Sequence, residues 1–248
     1  MQMVEACPEV CRILFGYCFE FCKQIPYGFL SLLTLIIMQI TSPPTTKPYE
    51  KPDGERRGLV IVNTGDGKGK STAAFGLAVR AQGQGKAVKV YQFMKVPSAR
   101  FGEHRLAERV GLSVEGLGDG FSWDSKDLAH SAQLARDGWA RARADILSGE
   151  QFLVVLDEVT YPLIFGWLPL AEVLETLQQR PKTVHVCLTG RNCPQEIIDL
   201  ADTVTEMQQI KHACNAGVPA QRGIGGCGMA AVLRWSLIAT AGGEGWGV

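Results

Sequence analysis

Short apolar runs alternate with segments of helical periodicity from residue 56 onward. Most of the runs carry few charges, as is typical of strands that are buried on both faces. The predicted strands are Gly58–Asn63, Ala87–Phe93, Phe152–Leu156, Thr183–Leu188 and Thr203–Met207. The predicted helices are Lys70–Gln82, Leu128–Leu147, Pro169–Gln179 and Pro194–Ala201. Strands that alternate with helices predict an α/β fold, in which a mostly parallel sheet carries helices on both faces.

Both ends of the chain depart from this pattern. Residues 1–40 form an apolar, Cys-rich extension, and residues 41–55 form a Pro- and Thr-rich linker. Ile25–Ile40 carries no charge, but its 16 residues are fewer than the roughly 20 that a membrane helix needs, so membrane association is not predicted. Residues 225–248 are Gly-rich and are interpreted as a loose tail. One domain is therefore predicted, at 56–224.

Charge and composition narrow the classes of ligand. Lys and Arg number 25, as do Asp and Glu, so no general attraction to nucleic acid or an anionic membrane is expected. An anion must then be bound by a local arrangement of groups. The eight cysteines include no CxxC pair, and the four histidines show no metal-ligand spacing. No Gly-x-Ser-x-Gly motif occurs, which favours an attacking group supplied by the substrate.

The strongest motif is a Gly-rich loop between the first predicted strand and the first predicted helix. Its residues are Thr64, Gly65, Asp66, Gly67, Lys68, Gly69, Lys70, Ser71 and Thr72. Glycines let backbone N–H groups surround phosphate oxygens, and the following helix adds its N-terminal dipole. Lys70 is placed to reach terminal phosphates, and Ser71 to bind Mg²⁺. The standard pattern has Gly where Thr64 stands, so this is a variant phosphate loop; the alternative is a structural turn.

An acidic pair, Asp157 and Glu158, follows the predicted strand Phe152–Leu156. Carboxylates at the C-terminal end of a parallel strand can support Mg²⁺ beside bound phosphates, together with Ser71. In an ATPase the second carboxylate could instead polarise water. The alternative is a solvated pair at a strand end. The sequence thus predicts a site for a nucleoside triphosphate with Mg²⁺.

Six motifs in order resemble one family, the ATP:corrinoid adenosyltransferases of the bacterial cobalamin pathway. They are TGDGKGKSTAAFGLAVRAQGQGKAVKVYQFMK, GFSWD, VVLDEVTY, LPLAEVL, LTGRNCP and ADTVTEM with IKHACNAGVPAQRGI. The resemblance covers Arg56–Ile224, which is 224 − 56 + 1 = 169 residues. It implies a P-loop NTPase-like (RecA-like) fold, and this family shows the variant loop that begins Thr-Gly.

The resemblance implies a particular reaction. These enzymes transfer the 5′-deoxyadenosyl group of ATP to the Co(I) of a corrinoid and release triphosphate, in adenosylcobalamin biosynthesis or salvage. Lys68, Lys70 and Mg²⁺ would stabilise the departing triphosphate. The family binds ATP in a reversed orientation that exposes C5′, and Arg80 matches a family nucleotide contact. A cytoplasmic homodimer that receives electrons from a flavoprotein-type reductant is also implied.

Two aromatic residues, Phe121 and Trp123, lie in the GFSWD motif. In the family this loop crowds the lower face of the corrin ring and displaces the lower axial ligand of Co(II). Because the removed ligand donated electron density, reduction to Co(I) becomes easier. From the residues alone, packing of both rings in the core is the favoured interpretation.

Two other functions remain open from the sequence. The chain could be a P-loop kinase or ATPase that releases ADP, or a non-catalytic nucleotide sensor. Both ends also depart from the family, which usually has a short polar N-terminal arm and stops near Ile224. We therefore hypothesise that one or both extensions stem from a misassigned start and a shifted reading frame. A measured mass of 27.0 kDa from the natural source would contradict this.

Overall fold

A six-stranded parallel sheet forms the centre of the fold. A computed structural model of the protein describes residues 47, 50–119 and 127–225. The strands are β1 Val60–Thr64, β2 Val88–Gln92, β3 Ser113–Gly116, β4 Leu153–Asp157, β5 His185–Thr189 and β6 Thr203–Glu206. Their order is β3-β2-β4-β5-β1-β6, and every neighbouring pair is parallel. The predicted α/β class is confirmed.

Helices connect the strands. They are α1 Lys70–Gly83, α2 Gly102–Val110, α3 Leu128–Ser148, α4 Thr160–Ile164, α5 Leu170–Gln179 and α6 Gln195–Leu200, with a 3₁₀ turn at Ala213–Ala216. The sequence pattern missed α2, β3, α4 and this turn. Helix α2 is short and mostly polar, and of its residues only His104 and Ala107 are buried. Within the described part of the chain, no helix is both long and apolar enough to cross a bilayer.

Both faces of the sheet are covered, because alternate strand residues point to opposite sides. Val154 and Leu156 of β4 pack with Trp139 of α3 and Leu177 of α5. Leu153 and Val155 of the same strand pack on the other side. Their partners there include Ala74 and Ala78 of α1 and Ala107 of α2. The prediction of helices on both faces is thus confirmed.

The strand order determines where a ligand can bind. Strands β4, β5 and β1 are neighbours, so the segments after their C-terminal ends meet at one edge of the sheet. The segment after β6 joins them, since β6 pairs with β1. The predicted N-terminal extension, most of the linker and nearly all of the tail lie outside the described residues.

Candidate active site

The phosphate loop is held against the chain that follows β6. Met207 N–H donates to Thr64 O at 2.8 Å, and Gly67 N–H donates to Met207 O at 2.5 Å. A Cβ atom at Gly65 or Gly67 would come within 2.6 Å of Met207 O, and Gly65 has φ +90°. Glycine is therefore required at both positions. Gly69, at φ +119°, then turns the chain into α1.

Lys70 lies at the start of α1, inside the loop. Its Nζ donates to Gly65 O and to Gly67 O, each at 2.6 Å. Burial lowers the pKa of Lys70, and the positive charge of Arg191 lowers it further. A negative ligand would offset both influences, because an opposite charge nearby favours the charged form of the lysine. The loop is thus built to receive an anion.

A cleft of about 200 Å³ opens above the loop. Residues 66–72 form one wall, and they include the predicted Asp66, Lys68, Ser71 and Thr72. The other walls come from the last residue of β5 and from the segments after β4, β5 and β6. Their side chains include Glu158, Tyr161, Thr189, Arg191, His212 and Asn215.

Arg191 reaches the cleft from the end of β5. Its Nη2 donates to Asp66 O at 3.2 Å, and its Nε lies 3.8 Å from Asp66 Oδ1. Gly190 precedes it with φ +144°, and a Cβ there would collide with the Thr160 side chain. This glycine lets the end of β5 pass close to α4 and brings a third cation, beside Lys68 and Lys70, to the cleft.

Glu158 has an uncommon backbone conformation, with φ 61°. Its N–H donates to Thr189 Oγ1 at 2.9 Å, and its Oε2 lies 3.1 Å from Lys95 Nζ. Burial raises the pKa of the Glu158 carboxyl, while Lys95 opposes that rise. The group is therefore held in the cleft wall at the expense of hydration.

Asp157, the other predicted acid, is fully buried. It accepts hydrogen bonds from Gln92 Nε2 at 2.9 Å and from Thr189 Oγ1 at 2.7 Å. Asp157 is adjacent to Glu158 in sequence but does not itself line the cleft. Its contribution to a metal site is therefore expected to run through neighbouring groups or water.

The cleft residues suit a Mg²⁺ ion that arrives with a nucleotide. The Ser71 hydroxyl and the Glu158 carboxylate line the same cleft, and Mg²⁺ prefers such oxygen ligands. In the described part of the chain, no group of three or more His, Cys, Asp or Glu could hold a metal alone. The ion would thus take its remaining ligands from triphosphate and water, as Mg²⁺ usually does.

Some predicted residues are not in the cleft. Thr64 is the buried last residue of β1, where its Oγ1 accepts from Cys193 N–H at 3.3 Å. Arg80 lies in the last turn of α1, ten residues after Lys70 and so about 15 Å along the helix. Arg80 is not among the residues that line this cleft, and its expected nucleotide contact stays a prediction. Phe121 and Trp123 lie outside the described residues.

Sequence reasoning also missed residues that line the cleft. Tyr161, whose pKa burial raises to about 12, stays protonated beside Glu158. Arg191 and His212 were likewise not predicted. All three stand in recognised motifs (VVLDEVTY, LTGRNCP and IKHACNAG), which was the available signal. Their local pattern does not reveal that they converge on one cleft.

The fold and the loop define a protein of the α/β class with a P-loop NTPase-like fold. The model of the family described as ATP:corrinoid adenosyltransferase BtuR/CobO/CobP matches residues 56–225. The corrinoid adenosyltransferase of Escherichia coli K12 is 44% identical over 170 residues, which are 68% of this chain and 86% of that protein. That of Pseudomonas aeruginosa is 41% identical over 174 residues, 68% and 84% of the two chains. This chain belongs to the ATP:corrinoid adenosyltransferase family.

Proposed function

We propose that this protein transfers the 5′-deoxyadenosyl group of ATP to the Co(I) of a corrinoid. The electron pair of Co(I) forms the Co–C5′ bond, while the C5′–O bond breaks and triphosphate leaves with its electron pair. Cobalt becomes formally Co(III). The observation that carries the proposal is a cationic phosphate-loop cleft in a chain of this family.

The protein's part in this reaction is to position ATP and neutralise charge. Lys68, Lys70 and Arg191 line the cleft and face the developing negative charge of the triphosphate. Cations that are already desolvated and oriented stabilise such charge more strongly than water does. Ser71 and Glu158 would hold the Mg²⁺ of the nucleotide. Mg²⁺ would add charge neutralisation at the leaving group.

The central test is an anaerobic incubation with ATP, Mg²⁺ and chemically reduced corrinoid. Formation of the Co–C bond changes the corrinoid spectrum, and triphosphate should appear in equal amount. A kinase or ATPase would release ADP instead, and a nucleotide sensor would release neither product. Either of those outcomes would contradict the proposal.

Phe121 and Trp123 are proposed to act on the corrinoid, by displacing the lower axial ligand of Co(II). Their Ala variants should then be severely impaired when Co(II) and a mild reductant are supplied. They should recover much of their activity with prepared Co(I), which already lacks a strong axial ligand. Equal impairment from both starting states would assign the two rings to packing, where each truncation typically costs about 3–5 kcal/mol.

Residues 56–224 are proposed to form the catalytic domain, because the α/β pattern begins only after the linker. Deleting residues 1–46 should leave a folded protein by circular dichroism. An unfolded product would place part of that segment in the core.

The setting of the reaction is also a proposal. We propose a homodimer, as the family resemblance implies, that works in the cytoplasm and receives electrons from a flavoprotein-type reductant, because the reaction consumes ATP and needs Co(I). Sedimentation of the purified protein tests the dimer. Replacing the chemical reductant with a reduced flavoprotein tests the electron source.

A further inference from the structure

A buried chain of polar side chains connects α2 with the acidic end of β4. Gln92 is 1% exposed, Asp157 and Thr189 are 0% exposed, and His104 is 9% exposed. Buried polar groups are costly unless each donor meets an acceptor. In this series of side chains, each donor meets an acceptor at every hydrogen bond that the structure shows.

The direction of the hydrogen bonds follows from one backbone contact. Phe101 N–H donates to His104 Nδ1 at 3.1 Å, so in the neutral ring the proton is on Nε2. His104 Nε2–H then donates to Gln92 Oε1 at 2.7 Å. This contact orients the amide, so that Gln92 Nε2 donates to Asp157 Oδ2 at 2.9 Å. Burial lowers the pKa of His104, which agrees with a neutral ring.

The other carboxylate oxygen of Asp157 leads to the cleft. Thr189 Oγ1 donates to Asp157 Oδ1 at 2.7 Å and accepts from Glu158 N–H at 2.9 Å. That contact supports Glu158 in its left-handed conformation, with its carboxylate in the cleft wall. Lys95, three residues after Gln92, lies 3.1 Å from the same carboxylate. The segment from 92 to 104 therefore contacts both acids.

We infer that Gln92 is a positioning residue for the metal–triphosphate end of the cleft. Gln92 orients Asp157, Asp157 in turn accepts from Thr189, and Thr189 supports Glu158. His104 sets the orientation of the Gln92 amide. The inference rests on the proposed function in one respect, which is that the Mg²⁺ of the nucleotide binds in this cleft. Hydrogen-bond partners that orient a metal-site carboxylate commonly affect metal affinity by about 10- to 100-fold.

The test is the affinity of the full-length protein for ATP, measured by calorimetry with and without Mg²⁺. In Gln92→Leu, the gain in affinity that Mg²⁺ provides should fall about 10- to 100-fold. The affinity without Mg²⁺ should stay near that of the wild type, because the loop is untouched. Gln92→Glu keeps the acceptor for His104 but loses the donor to Asp157. The gain in ATP affinity that Mg²⁺ provides should therefore fall in this variant as well.

His104→Leu provides a second variant in case Gln92→Leu fails to fold. This variant keeps Gln92 but removes the hydrogen bond that orients its amide. The gain in ATP affinity that Mg²⁺ provides should therefore fall less than in Gln92→Leu. Gln82→Leu is the matched control, because Gln82 Nε2 donates to Val110 O at 3.1 Å, at the other end of α2. This control should retain the Mg²⁺ gain in full.

The inference is overturned if the folded variants keep the wild-type gain, or if Gln82→Leu loses as much. Equal weakening of ATP binding with and without Mg²⁺ would show that these hydrogen-bonded side chains only stabilise the fold. That result would also overturn the inference. ATP binding needs no corrinoid, so this result is independent of Co–C bond formation. A wild type that binds MgATP but forms no Co–C bond would contradict only the proposed function.

Discussion

The two ends of the parallel sheet use charged residues in opposite ways. At the N-terminal end, Arg57 donates to both carboxylate oxygens of Asp202. Asp202 also accepts from Val60 N–H at 2.9 Å. The hydrogen bond from Arg57 lowers the pKa of Asp202, so the folded state favours the charged form. These charges stabilise the fold.

At the C-terminal end the folded state disfavours the charges. Burial raises the pKa of Glu158 and lowers that of Lys70. Glu158 also has a left-handed backbone, which usually costs about 1–3 kcal/mol. Such groups are typical of functional sites, where a ligand supplies the missing interactions. Both ends of the sheet therefore carry charged residues, but the protein favours the charged forms only at the N-terminal end. The environment of the charges thus distinguishes the C-terminal end, which we call the binding end, from the N-terminal end, which we call the supporting end.

Lys70→Ala should have the largest effect of the substitutions that test this contrast. It removes a charge-assisted contact to triphosphate that is worth about 1.5–3 kcal/mol, so kcat/KM for ATP should fall about 10- to 150-fold. Steady-state kinetics at limiting ATP measure the fall. Lys182→Ala, an exposed lysine just before β5, is the control and should retain full activity. Unchanged turnover in Lys70→Ala would show that the loop does not bind phosphate.

Gly67→Ala tests the fit of the loop against the segment after β6. The added Cβ would lie 2.6 Å from Met207 O and 2.7 Å from Gln208 O, both backbone atoms. We expect a loss of about 1–3 kcal/mol in stability, together with weaker ATP binding. In Gly76→Ala a Cβ meets nothing within 4 Å, and α1 should gain up to about 1 kcal/mol. Chemical denaturation of both variants would reveal whether they differ in sign.

Glu158→Gln should separate stability from function. Because the folded pKa is raised, ionised Glu158 destabilises the fold as pH rises above the ordinary carboxyl pKa. Without ATP or Mg²⁺, the variant should have a higher Tm than the wild type at neutral pH, because the neutral amide avoids the desolvation that raises the pKa of the carboxyl despite Lys95. The difference should vanish in acid, while Mg²⁺-dependent ATP affinity falls. A lower Tm at neutral pH would contradict this assignment.

Asp202→Asn makes the same chemical change at the supporting end, and its effect should be small and opposite in sign. The folded pKa is lowered, so the stabilisation is present above the ordinary carboxyl pKa and is lost as pH falls through the folded pKa. After solvent screening we expect a loss of roughly 0.5–1 kcal/mol at neutral pH. Turnover should be unchanged. Thermal melts across pH, in parallel with Glu158→Gln, would test the contrast directly.

The sequence was most informative where a property is local. The Gly-rich loop, the helix that follows it and the acidic pair at the end of β4 were all predicted, because each depends on neighbouring residues. Helix α2 was missed, since its nine residues are mostly polar and give little apolar periodicity. Arg80 was placed by family resemblance rather than by geometry, and α1 carries it away from the cleft.

Sequence alone determined the α/β class, the phosphate loop and the family, because periodicity and motifs are properties of contiguous residues. Only the tertiary structure decided that Arg191 and Tyr161 line the same cleft as Lys70, and that Gln92 donates to Asp157. Gln92 and Asp157 are 65 positions apart. They meet because β2 pairs with β4. Apolar strands that are buried on both faces look alike in sequence, so their order in the sheet depends on packing across the whole domain.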